Sequence, residues 1–521
     1  MRAPVSVLPL AFTGALAAFL LLPRVQQQPR VFWSFAAACA VLLAWNLILL
    51  ATRAPRLRSG QARRRPLTID VVLRKQHYLQ ACAQGSVLLY WGWSWRPVYD
   101  HAYIIVAQLL FAYAFDMLLA WSRRDQYTLG FGPFPVVFSI NLFLWFRDDW
   151  LFLQFLLVAV GFMAKELLTW EKNGRRAHIF NPSSFPLAAA AVLLLATGTS
   201  DIPWGKQIAT TQFYPPNMYL WLFAIGLPGQ FFFGVTSMTM SAVVATYLAG
   251  LAYYAFTGVY FFYDSYIPIA VFLGMHLLFT DPSTSPRTEL GRIIFGALYG
   301  LSTMLLYVVL GRAGLPTFYD KLLQVPVLNL SIKLIDRAAQ SQWLTYLNPA
   351  RLGTSLVGQR RHLAYIAVWL LAFSAISLAN GLGDRHPGQW LPFWQTACEA
   401  ERPYACEYLA QREGELCDQG SGWACNEYGL LQRERDVDGP GSEPAFTRGC
   451  EIGFAAACLN ASRLRQGEVR LVTTGPTLDD LPIVLRGSKG PMGGRSPESL
   501  YAEACRQGWS GACQRATVAI R

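Results

Sequence analysis

Charge is what this chain has least of. Only 15% of its 521 residues are Asp, Glu, Lys or Arg while 53% are hydrophobic, against roughly 25% charged in soluble proteins. That balance argues against a soluble globular protein. Acid is scarcest early: residues 1–380 hold 14 of the 32 acids but 29 of the 44 bases, a surplus of +15, whereas residues 381–521 carry a balance of −3. The basic surplus lies between apolar runs, so it reads as membrane orientation rather than a nucleic-acid-binding surface. Cysteine is nearly missing from the first 397 residues. Only Cys39 and Cys82 occur there, both in apolar runs that suit small core residues. No Cys-x-x-Cys cluster, haem-attachment motif, Walker loop or nucleophile elbow is present, which argues against the chemistries those motifs serve. The length suits one membrane domain plus a smaller soluble one.

What the chain has is apolar length. A bilayer core needs about 20 apolar residues per helix. Thirteen spans are expected, near 5–22, 31–51, 77–95, 101–121, 128–146, 150–169, 179–198, 217–236, 239–262, 265–280, 293–311, 316–335 and 362–380. The start resembles a signal peptide, but Arg24-Val25-Gln26 is a poor cleavage site, so an uncleaved helix is expected. Spans 128–146 and 316–335 are interrupted by Pro. The basic stretch 53–75, with Arg56, Arg58, Arg63, Arg64 and Arg65, is the strongest cytoplasmic anchor. Arg123/Arg124, Lys172/Arg175/Arg176, Arg287/Arg292 and Arg337/Arg351/Arg360/Arg361 then fall on the same side, and an odd span count sends the C-terminal domain outside.

The other eight cysteines form four pairs of one spacing: Cys398/Cys406, Cys417/Cys425, Cys450/Cys458 and Cys505/Cys513. An even count and wide spacing favour disulfides, hence an oxidising compartment, over a zinc site, whose ligands usually lie two to four residues apart. Three pairs share Cys-x-x-Gly-x-x-x-Ala-Cys. Gly420, Gly453 and Gly508 suit the left-handed residue that ends a helix, and Ala424, Ala457 and Ala512 suit the packed start of the next. Such a unit would staple successive helices of a solenoid. The segment resembles cysteine-rich, secreted Sel1-like repeats, departing from them in unequal gaps and a Gly/Pro-rich insert at 473–497. The resemblance implies a periplasmic protein partner; a purely structural cap is the alternative.

Two segments place polar, helix-breaking residues where a membrane chain tolerates them least. They are HIFNPSSFPL at 178–187 and FTDPSTSPRTELGRIIFGALYG at 279–300. Asn181 and Asp281 suit N-caps with Pro182 and Pro282 in the first turn, and exposed N–H groups there could hold a phosphate or carboxylate. An ordinary capped helix outside the bilayer is the plainer alternative. These segments, with 325–336, resemble the D subunit of Rnf-type electron-transport complexes and the related B subunit of sodium-translocating NADH:quinone reductase. The likeness covers about 67–336. It sets expected domains at 1–66 (two extra helices and a basic loop), 67–336 (the core), 337–380 (a cytoplasmic linker and last span) and 381–521 (the periplasmic repeats).

The resemblance implies an all-α, polytopic membrane bundle: a urea-transporter-like core of ten helices in two opposed five-helix units, plus extra spans and a small disulfide-stapled α-solenoid. It also implies FMN or another flavin, commonly phosphoester-linked to a Thr outside the cytoplasm. Thr210, in Gly205-Lys206-Gln207-Ile208-Ala209-Thr210-Thr211, is the nearest match, although Trp204 stands where the motif has an acid. Expected cofactor contacts are Asn181, Pro182, Ser183, Thr210, Thr236, Asp281, Thr284 and Ser285. The 234–239 stretch could line a cavity or bond back to helix carbonyls. Asp116, Lys165, Glu166 and His276 are intramembrane ionisable groups, functional candidates by their cost; Lys165 and Glu166 point to different faces. The expected protein is a non-autonomous flavin-associated redox subunit of a bacterial inner membrane, working with other membrane redox subunits and a quinone, and with no nucleic acid. A solute channel or transporter on the same fold, or a cofactor-free assembly factor, are the alternatives.

Overall fold

The structure, a computed structural model, describes residues 7–53, 67–172, 174–349, 359–379, 381–382, 386–435, 442–485 and 496–518. Arg56, Arg58, Arg63, Arg64, Arg65, Arg351 and part of the 473–497 insert lie outside the described residues, as do the side chains of Arg53, Lys172 and Arg175. The chain is 74% helical. It divides into two compact units, Met1–Thr246 with Ile269–Ser374, and Tyr247–Pro268 with Ala375–Arg521.

In chain order the elements of the first unit begin with α1 (Leu8–Ala17), α2 (Pro23–Gln26), α3 (Pro29–Arg53), β1 (Thr68–Val71), α4 (Lys75–Ser94), α5 (Pro97–Asp100) and α6 (Ala102–Arg123). They continue with β2 (Gln126–Leu129), α7 (Pro133–Phe143), α8 (Phe152–Leu167), β3 (Thr169–Lys172), β4 (Arg175–His178), α9 (Ser184–Thr197), α10 (Gly205–Thr211) and α11 (Met218–Phe233). Then come α12 (Thr236–Thr257), α13 (Ile269–Leu273), α14 (Glu289–Arg312), α15 (Asp320–Ala339) and α16 (Gln359–Leu378). The boundary between the units falls within α12 and α16.

Each expected span contains a helix, but not every helix has bilayer length. Among the described residues five helices, α3, α6, α12, α14 and α16, are long and apolar enough to cross a membrane. The expected span 128–146 holds only the 11 residues of α7, a rise of about 16 Å against a hydrocarbon core of about 30 Å. Strand β2 takes up the start of that span, and Pro133 and Pro135 fix where the helix can begin. Span 265–280 is likewise short: α13 passes into a π-helical turn at Gly274–Leu278. There a Cβ on Gly274 would lie 2.6 Å from the Tyr299 hydroxyl.

The order of helices repeats once. The series α4, α6, α7, α8, α9 is followed by α11, α12, α13, α14, α15, each with a short apolar third member. The first members, α4 and α11, pack together, and so do the last, α9 and α15. Helix α14 approaches α12 backbone to backbone. A Cβ on Gly296 would sit 2.0 Å from the Met238 carbonyl oxygen, and one on Gly300 2.7 Å from that of Ala242. This Gly-x-x-x-Gly contact accounts for two of the glycines in the 279–300 segment. Cys39 is buried as expected, whereas Cys82, expected in the core, is exposed on α4.

The second unit adds α17 (Leu391–Glu399), α18 (Ala405–Asp418), α19 (Gly422–Arg435), α20 (Ser442–Glu451), α21 (Ala455–Arg465), α22 (Leu481–Val484), α23 (Pro497–Arg506) and α24 (Ser510–Val518). Neighbouring helices pack as hairpins. Disulfides join Cys398–Cys406, Cys417–Cys425, Cys450–Cys458 and Cys505–Cys513, with Cα atoms 4.5–4.7 Å apart. Gly420, Gly453 and Gly508 adopt φ of +101°, +99° and +102°, which L side chains rarely tolerate, so the expected helix stops occur there. The first turn lacks that glycine and uses Glu401 and Tyr404 at φ +52° and +60° instead. Val259 and Tyr260, from the segment between α12 and α13, share the core with Leu391, Trp394, Leu409 and Trp423. The described part of the insert docks on the repeats: Asp480 accepts from Ser421 Oγ at 2.8 Å and Trp423 N at 3.1 Å, and Trp423 Nε1 donates to Thr474 O at 2.7 Å.

Glu413 is buried and Glu427 partly buried in this unit. Burial pushes Glu427 up to about 7, and burial with the nearby Glu427 charge pushes Glu413 well above the usual range. Both therefore hold protons in the folded unit at a pH where the unfolded chain has released them. The contribution of Glu427 is fully present below the unfolded value near 4.5 and is lost as pH rises through about 7, and that of Glu413 is lost as pH rises through its own raised value. Hydrogen exchange of α18 and α19 in the intact chain should quicken as pH is raised over that window, after correction for intrinsic rates. Glu427→Gln should flatten the dependence.

Candidate functional site

The site is framed by the two breaks in the apolar helices. Strands β3 and β4 form an antiparallel hairpin that pairs Thr169 with His178, and Ile179 N donates to Leu168 O at 2.9 Å to close its open end. The chain then turns through Asn181-Pro182-Ser183. Asn181 Oδ1 accepts from Ser183 N at 3.0 Å, Ser184 N at 3.1 Å and Ser183 Oγ at 2.7 Å, so it satisfies the amides that open α9. Its Nδ2 donates to Leu278 O at 3.0 Å, the last residue of the π-helical turn.

The second break meets the first. Asp281 caps a one-turn 3-10 helix, Pro282–Thr284, accepting from Ser283 N at 2.9 Å, and its Oδ2 lies 3.0 Å from His178 Nε2, 103 residues away. Burial opposes ionisation of Asp281, but the His178 bond and charge and the Ser283 amide outweigh it and hold the carboxyl below its usual range. Asn329, on α15, joins both breaks: its Oδ1 accepts from Asn181 N at 3.1 Å and its Nδ2 donates to Thr284 O at 3.1 Å. Helix α14 starts further on, capped by Thr288, with Asp336 accepting from Arg287 N at 3.0 Å and Thr288 N at 3.1 Å. Asn181 and Asp281 hold unlike places in the repeat, one before the fifth helix of the first series and the other before the fourth of the second. The segments that carry them meet all the same.

Most of the expected contacts are thus brought together, with their polar atoms engaged inside the protein. Ser183, Thr284 and Ser285 are buried beside Asn181 and Asp281, with Thr284 Oγ1 3.4 Å from Asp281 Oδ2 and Ser285 Oγ donating to Pro282 O at 3.2 Å. Sequence reasoning missed Asn329 and Asp336. The available signal for Asn329 was an amide within the apolar run Val325 to Leu330; Asp336 resembled an ordinary helix end.

Thr210 and Thr236 have other surroundings. Thr210 is the accessible hydroxyl on α10, donating to Lys206 O at 2.9 Å, whereas Thr211 is buried and accepts from Trp91 Nε1 at 3.1 Å. Trp91 stacks on Trp95 at 5.1 Å between ring centroids, and Trp95 meets Trp145 at 6.0 Å and Trp204 at 5.9 Å. Thr236 is buried at the start of α12; its hydroxyl and that of Thr239 have no hydrogen-bond partner, while Ser237 donates to Glu289. Neither threonine bonds back to a helix carbonyl. A cavity of about 390 Å³ adjoins this stretch, lined by Gly234, Arg287, Glu289, Arg292 and His362 among others.

Three of the four expected intramembrane charges converge on a larger cavity of about 510 Å³, which His178 also lines. Asp116 comes from α6, and Lys165 and Glu166 from α8. Arg124 lies 2.5 Å and Arg123 3.8 Å from Glu166, and Tyr127 is hydrogen-bonded to Asp116. Parallel pairing of β1 with β2, in register from Thr68 with Gln126, builds one wall. Arg74, His77 and Arg176 complete the basic lining. His276 is elsewhere, buried, with Nδ1 2.8 Å from Phe272 O and Nε2 unpartnered.

These features define a class: a mostly helical protein with apolar helices of membrane-spanning length and a cysteine-stapled helical unit. No family model, curated protein or solved structure matches the chain.

Replacing Asn329 by Leu would leave the Asn181 amide and the Thr284 carbonyl buried without partners. The expected cost is on the order of 2 to 4 kcal/mol, seen as a lower unfolding midpoint of the detergent-solubilised protein. An unchanged midpoint would mean that the two breaks do not need this bridge.

Proposed function

We propose that the chain is a flavin-associated membrane subunit of an electron-transport complex, related to the D subunit of Rnf-type complexes. It works with other membrane redox subunits in a bacterial inner membrane and exposes its cysteine-rich unit to the periplasm. The observation that carries this reading is the union of the two family-like segments: His178 and Asp281, 103 residues apart, make a 3.0 Å contact. A chance resemblance would not require the two segments to meet. Support also comes from the repeated helix order, from the five helices of spanning length, and from the core that Val259 and Tyr260 share with the stapled repeats. The sharing is what the expected topology requires, since it has that segment and the repeats on the same side of the membrane. The four disulfides suit an oxidising compartment.

The residues around Thr210 fit a phosphoester-linked FMN. Its hydroxyl is accessible, Lys206 lies one turn earlier on the same face, and the nearby indoles include Trp145, whose buried Nε1 lacks a hydrogen-bond partner. Flavin would supply one- and two-electron transfer to a quinone or partner protein. The chain's own part is to fix and shield it. A solute channel or transporter is the second reading, favoured by the two short apolar helices α7 and α13, since such folds bind solutes at broken helices.

Flavin content of the protein from its own host, with in-gel fluorescence after denaturation, tests these readings. Fluorescence that survives denaturation and vanishes in Thr210→Ala is the expected outcome. Flavin released on denaturation would keep the redox reading and remove the covalent bond. A folded, flavin-free protein that moves solute would favour the transporter.

A further inference from the structure

We infer that the 510 Å³ cavity beside His178 binds the phosphoryl group of a small, soluble phosphate monoester. Its lining holds four Lys or Arg side chains, Arg74, Arg124, Lys165 and Arg176, against two carboxylates, Asp116 and Glu166. Each carboxylate has partners in the lining, and Asp116 also acts electrostatically on Lys165. Glu166 is matched by Arg124 and Arg123, and Asp116 is hydrogen-bonded to Tyr127. Arg176 spends its Nε on Thr169 Oγ1 at 2.7 Å, which leaves the two terminal nitrogens of its guanidinium. Lys165 has the Phe162 ring, 5.3 Å away, as its neighbour. Among the described residues, Arg74, Lys165 and Arg176 make no ion pair.

Four Lys or Arg side chains against two carboxylates leave a surplus of positive charge around the cavity, which a bound anion would offset. Guanidinium forks and an ammonium point charge are the groups that recognise phosphoryl oxygens. The volume lies within the roughly 300–1,000 Å³ usual for small-molecule sites. Asp116 and Tyr127 offer an acceptor and a phenol to the hydroxyl or N–H groups of the ligand's body. The apolar lining is confined to Val72, Pro133 and Ala177, too little to hold an acyl chain. This favours a soluble ester over a lipid headgroup. The inference does not depend on a covalent flavin at Thr210.

Binding of inorganic phosphate, FMN and riboflavin to the full chain in zwitterionic-lipid nanodiscs, followed by calorimetry, tests it. Phosphate and FMN should compete for one site, and riboflavin should not displace phosphate. Lys165→Gln and Arg176→Gln should each weaken binding roughly tenfold or more at an unchanged melting temperature, with Lys165→Arg restoring most of it. Phosphate binding without FMN binding would uphold the cavity and remove flavin as its ligand, whatever the fluorescence of Thr210→Ala shows. Failure to bind either phosphate compound, or equal binding by both Gln variants, would overturn the inference. So would stabilisation produced only by phosphatidic acid in the nanodisc, which would make the site a lipid contact.

Discussion

Every backbone N–H and C=O in an apolar interior needs a partner, and the first unit is arranged around the two places where its helices cannot supply one. Pro182 and Pro282 interrupt the chain between apolar helices, leaving amides at the start of α9 and carbonyls at the end of the π-helical turn. Asn181 answers both needs, accepting from Ser183 and Ser184 and donating to Leu278 O. Asn329 then ties Asn181 to Thr284. One amide on α15 thereby sets the separation of two breaks from different halves of the repeat. The His178–Asp281 pair adds a charge-assisted contact to the same junction.

A second constraint is the cost of charge among apolar helices. Asp116, Lys165 and Glu166 would each be expensive facing lipid. The fold gathers them into one polar cavity, where Glu166 meets two arginines and β1–β2 and the β3–β4 hairpin supply polar walls. The adjacent positions of Lys165 and Glu166 are consistent with this. They diverge as neighbours on a helix must, Glu166 towards the arginines at the end of α6 and Lys165 towards Phe162, yet both reach the same cavity.

The second unit meets a different difficulty, since short helices with polar faces bury little apolar surface. Its solution is covalent and steric. Each disulfide closes a turn at a fixed span of eight residues, and small residues let the helices approach, as where a Cβ on Gly449 would lie 2.7 Å from that of Ala457. Asp480 then anchors the segment after α21 over the open face at Ser421 and Trp423. The buried Glu413 and the partly buried Glu427 leave the unit dependent on holding protons.

Much of this was legible beforehand, because the signals were local. Apolar run length located the thirteen segments that hold the long apolar helices, and the eight-residue cysteine spacing and the glycines at 420, 453 and 508 marked the stapled turns. Asn181 and Asp281 read as caps because a cap is decided within four residues of chain. What only the tertiary structure decided is long in sequence and short in space. That α7 and α13 are too short to span, that His178 reaches Asp281, that Asn329 bridges the two breaks and that Asp116 shares a cavity with Lys165 all depend on contacts between distant segments. Hydropathy and spacing are sums along the chain, whereas hydrogen bonds and charge pairing act across it. The sequence by itself therefore determined where the long apolar segments and the stapled turns lie, and packing determined how far some of those helices run and which polar groups their ends bring together.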